Sequence, residues 1–269
     1  MAGRIERAEA DLVAVAGRAA RRRLSDQGGF VISVAGGVAS FAAQGSPFNK
    51  VAGLGFSGVP SAAALDEIEN AYATRDSPVQ VELAHLGDPE VGKVLTERGY
   101  LLIGFENVLG VALASEPERI TPSGVQVRRS GDDEFEAWLQ VITDGFAHPD
   151  TQGVPSHEEF PREVIERAER DAAAAGASRY IAVRDGQLAG AASLRFAAGV
   201  AQLTGAATVP AHRRRGVQSA LLSARLADAA SAGCDIAVIT AQPGSKSQQN
   251  AQRQGFDLLY TRAIVVRRW

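Results

Sequence analysis

The alternation of apolar and polar positions along the chain predicts a succession of helices and strands. Residues 4–23 carry apolar side chains at helical spacing among Arg and Glu, which is typical of an amphipathic helix. Residues 30–58 are rich in Val, Phe and small residues and are punctuated by glycine, so they predict two or three strands joined by tight turns. A helix over 60–76, a strand, a short helix ending at Gly99 and a long strand follow.

A polar segment with two prolines, 115–124, interrupts this pattern and is the best candidate for a linker. After it the pattern predicts a strand, two helices, three strands, a helix, a strand, a short helix and a closing strand. Such an order favours a mixed sheet with covering helices, an α/β (α+β) architecture. We therefore predict one domain over residues 1–115 and a second over 125–269, joined by a linker at 116–124.

The two halves resemble each other. In the second half GVQSALL begins at Gly216 and is followed by Gly255-Phe256, and in the first half GVPSAAAL begins at Gly58 and is followed by Gly99-Tyr100 at a similar distance. Between these markers both halves predict a helix, a strand and a short helix. A tandem duplication is favoured, and chance recurrence of Ala-rich helices is the alternative.

Composition narrows the classes of function. A formal net charge of −3 gives no reason to expect a nucleic-acid partner. No stretch reaches the roughly 18 apolar residues that span a bilayer, and the first residues lack the apolar core of a signal peptide. A single cysteine, Cys234, fits a reducing compartment, so we expect a soluble cytoplasmic protein without membrane contact. The four histidines are scattered, and we expect no metal.

Residues 208–222, TVPAHRRRGVQSALL, carry the most informative chemistry. A strand ends, a basic loop follows, and a helix begins at or just after Gly216. A helix N-terminus offers unpaired N–H groups and positive potential, and a glycine lets a phosphate approach the backbone. The charges of Arg213, Arg214 and Arg215 and the hydroxyl of Ser219 add to this potential seat for a pyrophosphate.

These residues resemble the GNAT superfamily of N-acyltransferases, whose motif is Gln/Arg-x-x-Gly-x-Gly/Ala at the start of this helix. Arg213 and Gly216 occupy the first two places and Val217 the apolar place, whereas Gln218 stands where the family has Gly or Ala. The resemblance implies two GNAT-like domains, each a mixed, mostly antiparallel sheet flanked by helices. It also implies that acyl-CoA lies where the strands 200–209 and 234–242 splay apart.

The resemblance further implies which residues hold the cofactor. The backbone at the end of the first splayed strand would pair with the pantetheine arm, the loop would hold the pyrophosphate, and an amide on the short helix would bind the pantetheine. A bulge at Gly205–Ala207 would free an N–H to polarise the thioester. The predicted cofactor-binding residues are Thr208, Val209, Arg213, Arg214, Arg215, Gly216, Val217, Gln218, Ser219 and Asn250.

The catalytic acid and base are less evident from the sequence. The position where many family members carry an acidic Tyr is Ala251, so Tyr260 on the last strand is the substitute, with packing against the sheet as the alternative. The strand 200–209 has no carboxylate. Asp144, Glu158 and Glu159 flank the loop between the first two helices of the second half, where one could bind or deprotonate an amine or be solvated.

The first half lacks the arginines of the motif, and Pro60 stands where Gln218 does, so one N–H that a phosphate needs is missing. We interpret it as a degenerate copy without a cofactor site.

The sequence thus predicts an N-acyltransferase that moves an acetyl or other short acyl group from acyl-CoA to a primary amine of a small molecule or peptide. A non-catalytic acyl-CoA-binding or sensing protein and a purely structural module are the alternatives, and a homodimer is left open.

Overall fold

The computed structural model of the protein describes residues 1–25, 28–113, 119–148, 154 and 160–269. Within these residues the predicted alternation of helices and strands is present. The helices are α1 (Ala2–Arg23), α2 (Ala62–Ala73), α3 (Pro89–Glu97), α4 (Phe135–Ala147), α5 (Arg162–Ala174), α6 (Val217–Ser231) and α7 (Lys246–Arg253). The strands are β1 (Phe30–Val34), β2 (Gly37–Phe41), β3 (Lys50–Ala52), β4 (Val79–Ala84), β5 (Leu101–Ala112), β6 (Val125–Arg129), β7 (Ser178–Arg184), β8 (Gln187–Ala197), β9 (Val200–Gln202), β10 (Ala206–Thr208), β11 (Ile236–Ala241) and β12 (Asp257–Arg267).

These strands form one continuous sheet in the order β1-β2-β3-β4-β12-β5-β11-β9-β8-β7-β6, with β10 paired to β8. Most neighbours are antiparallel, and the two parallel pairs are β3 with β4 and β9 with β11. The predicted α/β class, with a mostly antiparallel sheet flanked by helices, is therefore confirmed. The two expected sheets are joined edge to edge, and the boundaries at residues 115 and 125 stay a prediction.

The join is made by an exchange of the last strand of each half. β12 inserts between β4 and β5, and β5 in turn separates β12 from β11. β4 pairs with β12 through six residues, and β11 pairs with β5 through six residues at the matching place. Read outward from the β5–β12 pair, the strand order is the same in both directions as far as β1 and β7. This agrees with the internal resemblance noticed in the sequence.

Helices cover both faces of the sheet. On one face α4 packs on β8 and β10, while α1 packs on the strands of the first half and against α5. On the other face of the second half, α6 packs on β8, where Val217 and Leu221 belong to the same buried cluster as Ala192 and Leu194. Ser193 and Arg195 alternate with Ala192 and Leu194 along β8, so their side chains point to the face that α1, α4 and α5 cover.

The described part of the linker contacts the second half. The backbone N–H of Ile120 donates to Ser223 Oγ of α6 at 2.7 Å, and Arg119 forms an ion pair of 2.6 Å with Asp228. A methyl group on Gly216 would lie 2.7 Å from Pro122 Cγ. Residues 119–122 therefore run along α6, and Pro122 reaches its N-terminus.

Candidate functional site

A notch opens in the sheet where β9 and β11 stop pairing. Val200–Gln202 pair with Ile236–Val238, and the N–H of Leu203 donates the last bond, 2.9 Å, to Val238 O. Beyond that point β10 pairs with β8, whereas the rest of β11 pairs with β5 and with no other strand that the structure describes. The single strand predicted over 200–209 is thus broken in two by Leu203–Gly205. The predicted splaying of these two strands is observed.

The break is fixed from both faces of the sheet. On one face the hydroxyls of Ser193 and Thr204 form a 2.8 Å hydrogen bond. From the other face, Arg225 of α6 donates to the carbonyls of Ser193 and Thr204 at 3.0 and 3.3 Å. Arg225 is fully buried and has no ion pair with any residue the structure describes; burial lowers its pKa to about 10. Arg225 thus joins the two sides of the break through hydrogen bonds to their carbonyls.

The basic loop and the helix start lie at the mouth of the notch, as predicted. A single 3₁₀ turn, Pro210–His212, follows β10, and α6 begins at Val217 with Gly216 as its N-cap residue. Gly216 has φ +79°, and Arg214, at φ +59°, is a non-glycine residue in the left-handed region. Such a conformation is uncommon outside glycine and is often retained at functional sites.

No side chain caps the N-terminus of α6, since its N-cap residue is glycine. The corresponding helix of the first half, α2, is capped by its own Ser61, whose hydroxyl accepts from the N–H of Ala64 at 3.2 Å. Backbone donors at the start of α6 therefore stay open to an anion, whereas one donor at the start of α2 is satisfied internally. The two halves therefore differ in how well the start of this helix can bind an anion.

The three arginines of the loop do not play equal roles. The Arg213 guanidinium donates to the carbonyl of Thr208 at 3.4 Å and to that of His148 at the end of α4, so it joins the loop to α4. Arg214 and Arg215 are exposed and have no ion pair within the described part of the chain. Arg214 and Arg215 are therefore the two whose guanidinium groups no described residue engages.

Two further predicted cofactor residues contact each other across the notch. Asn250 Nδ2 on α7 donates to Gln218 Oε1 in the first turn of α6 at 2.9 Å. α6 follows β10 and α7 follows β11, so the bond joins the helices that continue the two splayed strands. Gln218, the departure from the family motif, directs its amide to α7. Thr208 and Val209 lie at the end of β10, and Ser219 lies in the first turn of α6.

Tyr260, the predicted substitute acid, lies away from the notch. It is on β12, which β5 separates from β11, and it is buried. Its hydroxyl donates to Glu6 Oε1 of α1 at 2.6 Å, and burial raises its pKa. These contacts give Tyr260 a structural partner, so its catalytic role stays a prediction that no contact supports. Ala251 is buried in the second half's core.

Of the carboxylates predicted near the acceptor, Asp144 is described and Glu158 and Glu159 lie outside the described residues. Asp144 pairs with Arg162 at 2.5 Å, linking the end of α4 to the start of α5. The hydrogen bond from Arg162 lowers the pKa of Asp144, which keeps it ionised and engaged. Asp144 therefore forms an ion pair that connects α4 with α5.

Glu169, a half-buried residue of α5, also lies beside the break and was not among the residues predicted from the sequence. Burial raises the pKa of Glu169 to about 7. Helical spacing carried a signal for it, since Ile165, Glu169 and Ala172 share one face of α5 and Ala172 is buried. Arg225 was missed in the same way, one turn after Leu221 on α6.

Two negative observations apply to the described residues. No group of three or more His, Cys, Asp or Glu side chains among them is arranged to hold a metal ion. No helix they form has both the length and the apolar character to cross a membrane.

Parallel strands that part beside an uncapped helix N-terminus form a cleft that ends at an anion-binding position. Residues 136–256 match the model of the acetyltransferase (GNAT) family. The second half of the chain thus carries a GNAT acetyltransferase domain. No curated protein sequence gives a match.

Solved structures share the fold along nearly the whole chain. A GCN5-related N-acetyltransferase from Kribbella flavida is similar with a TM-score of 0.65 and 19% identity, over 94% of this chain and 95% of that one. A tandem GNAT protein from the clavulanic acid biosynthesis pathway gives 0.60 and 13%, over 96% and 92%. A GCN5-related N-acetyltransferase from Sphaerobacter thermophilus gives 0.57 and 15%, over 81% and 71%. These likenesses show the fold.

Proposed function

We propose that the protein transfers an acetyl or other short acyl group from acyl-CoA to a primary amine of a small molecule or peptide. The observation that carries the proposal is the notch between β9–β10 and β11, which ends at the uncapped N-terminus of α6 within the family-matched residues. A thioester arm inserted there would pair with the free edge of Thr208–Val209. Its pyrophosphate would lie against the first N–H groups of α6.

Charge at the mouth of the notch supports a polyanionic cofactor. Arg214 and Arg215 add two exposed positive charges to the positive end of the α6 dipole. No described carboxylate neutralises either of them. For the cofactor to enter, we expect the Asn250–Gln218 bond to exchange for bonds to the pantetheine amides, which offer the same donors and acceptors.

The first half supplies structure rather than a second active site in this proposal. Its equivalent helix is capped by Ser61, and Pro60 removes an N–H at that place. Together with the mirrored strand order, this supports a tandem protein in which one half has lost the cofactor site.

The test combines turnover and binding. Wild-type protein with acetyl-CoA and a panel of amino acids, polyamines, aminoglycosides and dipeptides should release CoA thiol in an amine-dependent manner. Replacing Arg214 and Arg215 together by Glu should raise the Kd for CoA on the order of tenfold to a hundredfold, because charge-assisted contacts of a few kcal/mol become repulsive. Calorimetry or thermal shift gives the Kd.

The matched control reverses two exposed arginines elsewhere, Arg22 and Arg268, and changes the net charge equally. It should bind CoA as the wild type does. CoA binding without turnover on any amine would favour the binding or sensing alternative. If CoA bound to none of the three proteins, the wild type, the Arg214/Arg215 variant and the control, both the enzyme and the CoA-binding alternative would be ruled out.

A further inference from the structure

The carboxylate of Glu169 lies beside the strand break. A methyl group built on Gly205 would lie 3.1 Å from Glu169 Oε1 and 3.3 Å from Ser193 Oγ. Glu169 therefore reaches the backbone at the break because residue 205 has no side chain. The neighbouring Ser193 and Thr204 hydroxyls bond to each other. The carboxylate, the two hydroxyls and the Gly205 backbone thus meet where β9 gives way to β10.

Glu169 differs from the other acidic residues of its helix that are not exposed to solvent. Glu166 pairs with Arg162, and Asp171 pairs with Arg23. Glu169 forms no hydrogen bond or ion pair with any described residue. Burial is the cause that raises its pKa, and no neighbouring charge contributes. A desolvated carboxylate without a partner is unfavourable for folding, so its retention beside a functional notch indicates a use.

The position of Glu169 relative to the cofactor site is also suitable. α6 and Arg225 approach the break from one face of the sheet. Glu169 approaches from the other face, because Ser193 lies on the side covered by α4 and α5. An acyl group held in the notch would therefore have Glu169 on the face opposite α6. On that face α1 and α5 also pack against each other.

We infer that Glu169 is the general base of the acyl transfer and the anionic contact for the acceptor ammonium group. This inference rests on the proposed function. Residue 169 lies on a helix and not on either splayed strand, which is why the absence of a carboxylate from residues 200–209 does not leave the site without a base.

The ammonium of the acceptor gives one proton to the Glu169 carboxylate and becomes a neutral amine. Its nitrogen attacks the thioester carbonyl carbon, forming the C–N bond, and the C–S bond breaks with its electron pair moving to sulfur. The second nitrogen proton passes to the thiolate. The products are the amide and free CoA thiol, and Glu169 returns its proton to solvent.

The raised pKa sets the expected pH dependence. Below about pH 7 Glu169 is protonated and cannot accept a proton, so kcat/KM should fall on the acid side with an apparent pKa near 7. Glu169→Gln keeps the shape and removes the base. It should lower kcat/KM by roughly 10²–10⁴-fold and abolish that acid limb. Glu163→Gln, an exposed residue on the same helix, is the control and should keep both rate and profile.

Thermal stability provides a second measurement, in which Glu169→Gln should improve on the wild type although its activity falls. Because the folded pKa is raised, the folded state holds its proton more tightly, and the ionisation of Glu169 opposes folding as pH rises from 4.5 toward 7. Glu169→Gln should therefore have a Tm above that of the wild type at pH 8 and close to it at pH 4.5. A loss of activity with a gain in Tm distinguishes a base from a packing residue.

The assay follows CoA release from acetyl-CoA with the amine panel, and also without amine, where water is the acceptor. The expected result is release by the wild type and by Glu163→Gln, with a large loss in Glu169→Gln. Equal rates and equal pH profiles for the wild type and Glu169→Gln would overturn the inference alone. No CoA release by the wild type in either assay would overturn the proposed function and this inference with it.

Discussion

At the scale of single residues, close approach of backbones shapes the notch. α4 contacts β10 through Gly145, where a methyl group would overlap the Ala207 Cβ. The lack of a side chain at residue 145 lets α4 lie close against β10, the strand that pairs with β8. Gly145 therefore serves the position of the strand rather than the helix, since glycine within a helix is unfavourable by about 1 kcal/mol.

Two glycines in helices allow a matched test. Gly145→Ala should lower the free energy of unfolding by about 1–3 kcal/mol, because the core near β10 has no room for a methyl group. Gly92→Ala, in α3, meets only Leu83 at an ordinary 3.5 Å and should raise it by about 0.5–1 kcal/mol. Urea unfolding of both variants gives the two values. Stabilisation by Gly145→Ala would contradict the contact with Ala207.

The same scale shows what could be read from the sequence. The start of α6 near Gly216 was predictable, because apolar residues at helical spacing, Val217 and Leu221 among them, begin directly after a polar loop. Glu169 and Arg225 were not, because their meaning depends on facing the same break from two helices that are distant in sequence. Each is a charged residue on an apolar helix stripe, which marks a buried charge without identifying its neighbours.

At the scale of elements, α1 is fastened to the exchanged strands by a buried ionic network. Arg262 of β12 is fully buried and bonds to Glu6 of α1 and Glu106 of β5, each at 2.8 Å. Lys50 of β3 bonds to Glu82 of β4 at 2.8 Å. Burial raises the pKa of Glu106 to about 7 and raises that of Glu6. The network connects strands of both halves beneath one helix.

Arg262→Met should destabilise the protein by about 3–5 kcal/mol, because it leaves buried carboxylates without their cation. Arg267→Met on the same strand is the matched control. Arg267 pairs with Glu69, which keeps a second cation in Arg98, so this change should have an effect of about 1 kcal/mol or less. Equal shifts of the denaturation midpoint in Arg262→Met and Arg267→Met would contradict a special role of Arg262 in stability.

At the scale of the whole molecule, the exchange of β5 and β12 makes the halves interdependent. Neither half has both of its central strands from its own sequence, since β4 pairs with β12 and β11 pairs with β5. The class of fold and the order of elements could be predicted, because periodicity and turn residues are local. The exchange could not, because a strand between two equivalent neighbours shows the same pattern whichever it joins.

The interdependence predicts the behaviour of fragments. Residues 1–124 and 125–269 produced separately should be aggregated or unfolded, because each exposes an unpaired strand edge. Produced together, they should form a soluble one-to-one complex with a single thermal transition. Size-exclusion chromatography with circular dichroism checks both statements. A cooperative unfolding transition of 125–269 alone would contradict the role assigned to β5.

The strand exchange also sets an order of events during synthesis. The ribosome releases β4 long before it releases β12, which starts at Asp257. In that interval the free edge of β4 can pair with its own β5 or with another nascent chain. The native arrangement then requires β12 to enter between two strands already made, a closure with high sequence separation and therefore slow. Codon usage and chaperone supply near the end of translation should consequently influence the yield of this protein more than they would for a fold completed half by half.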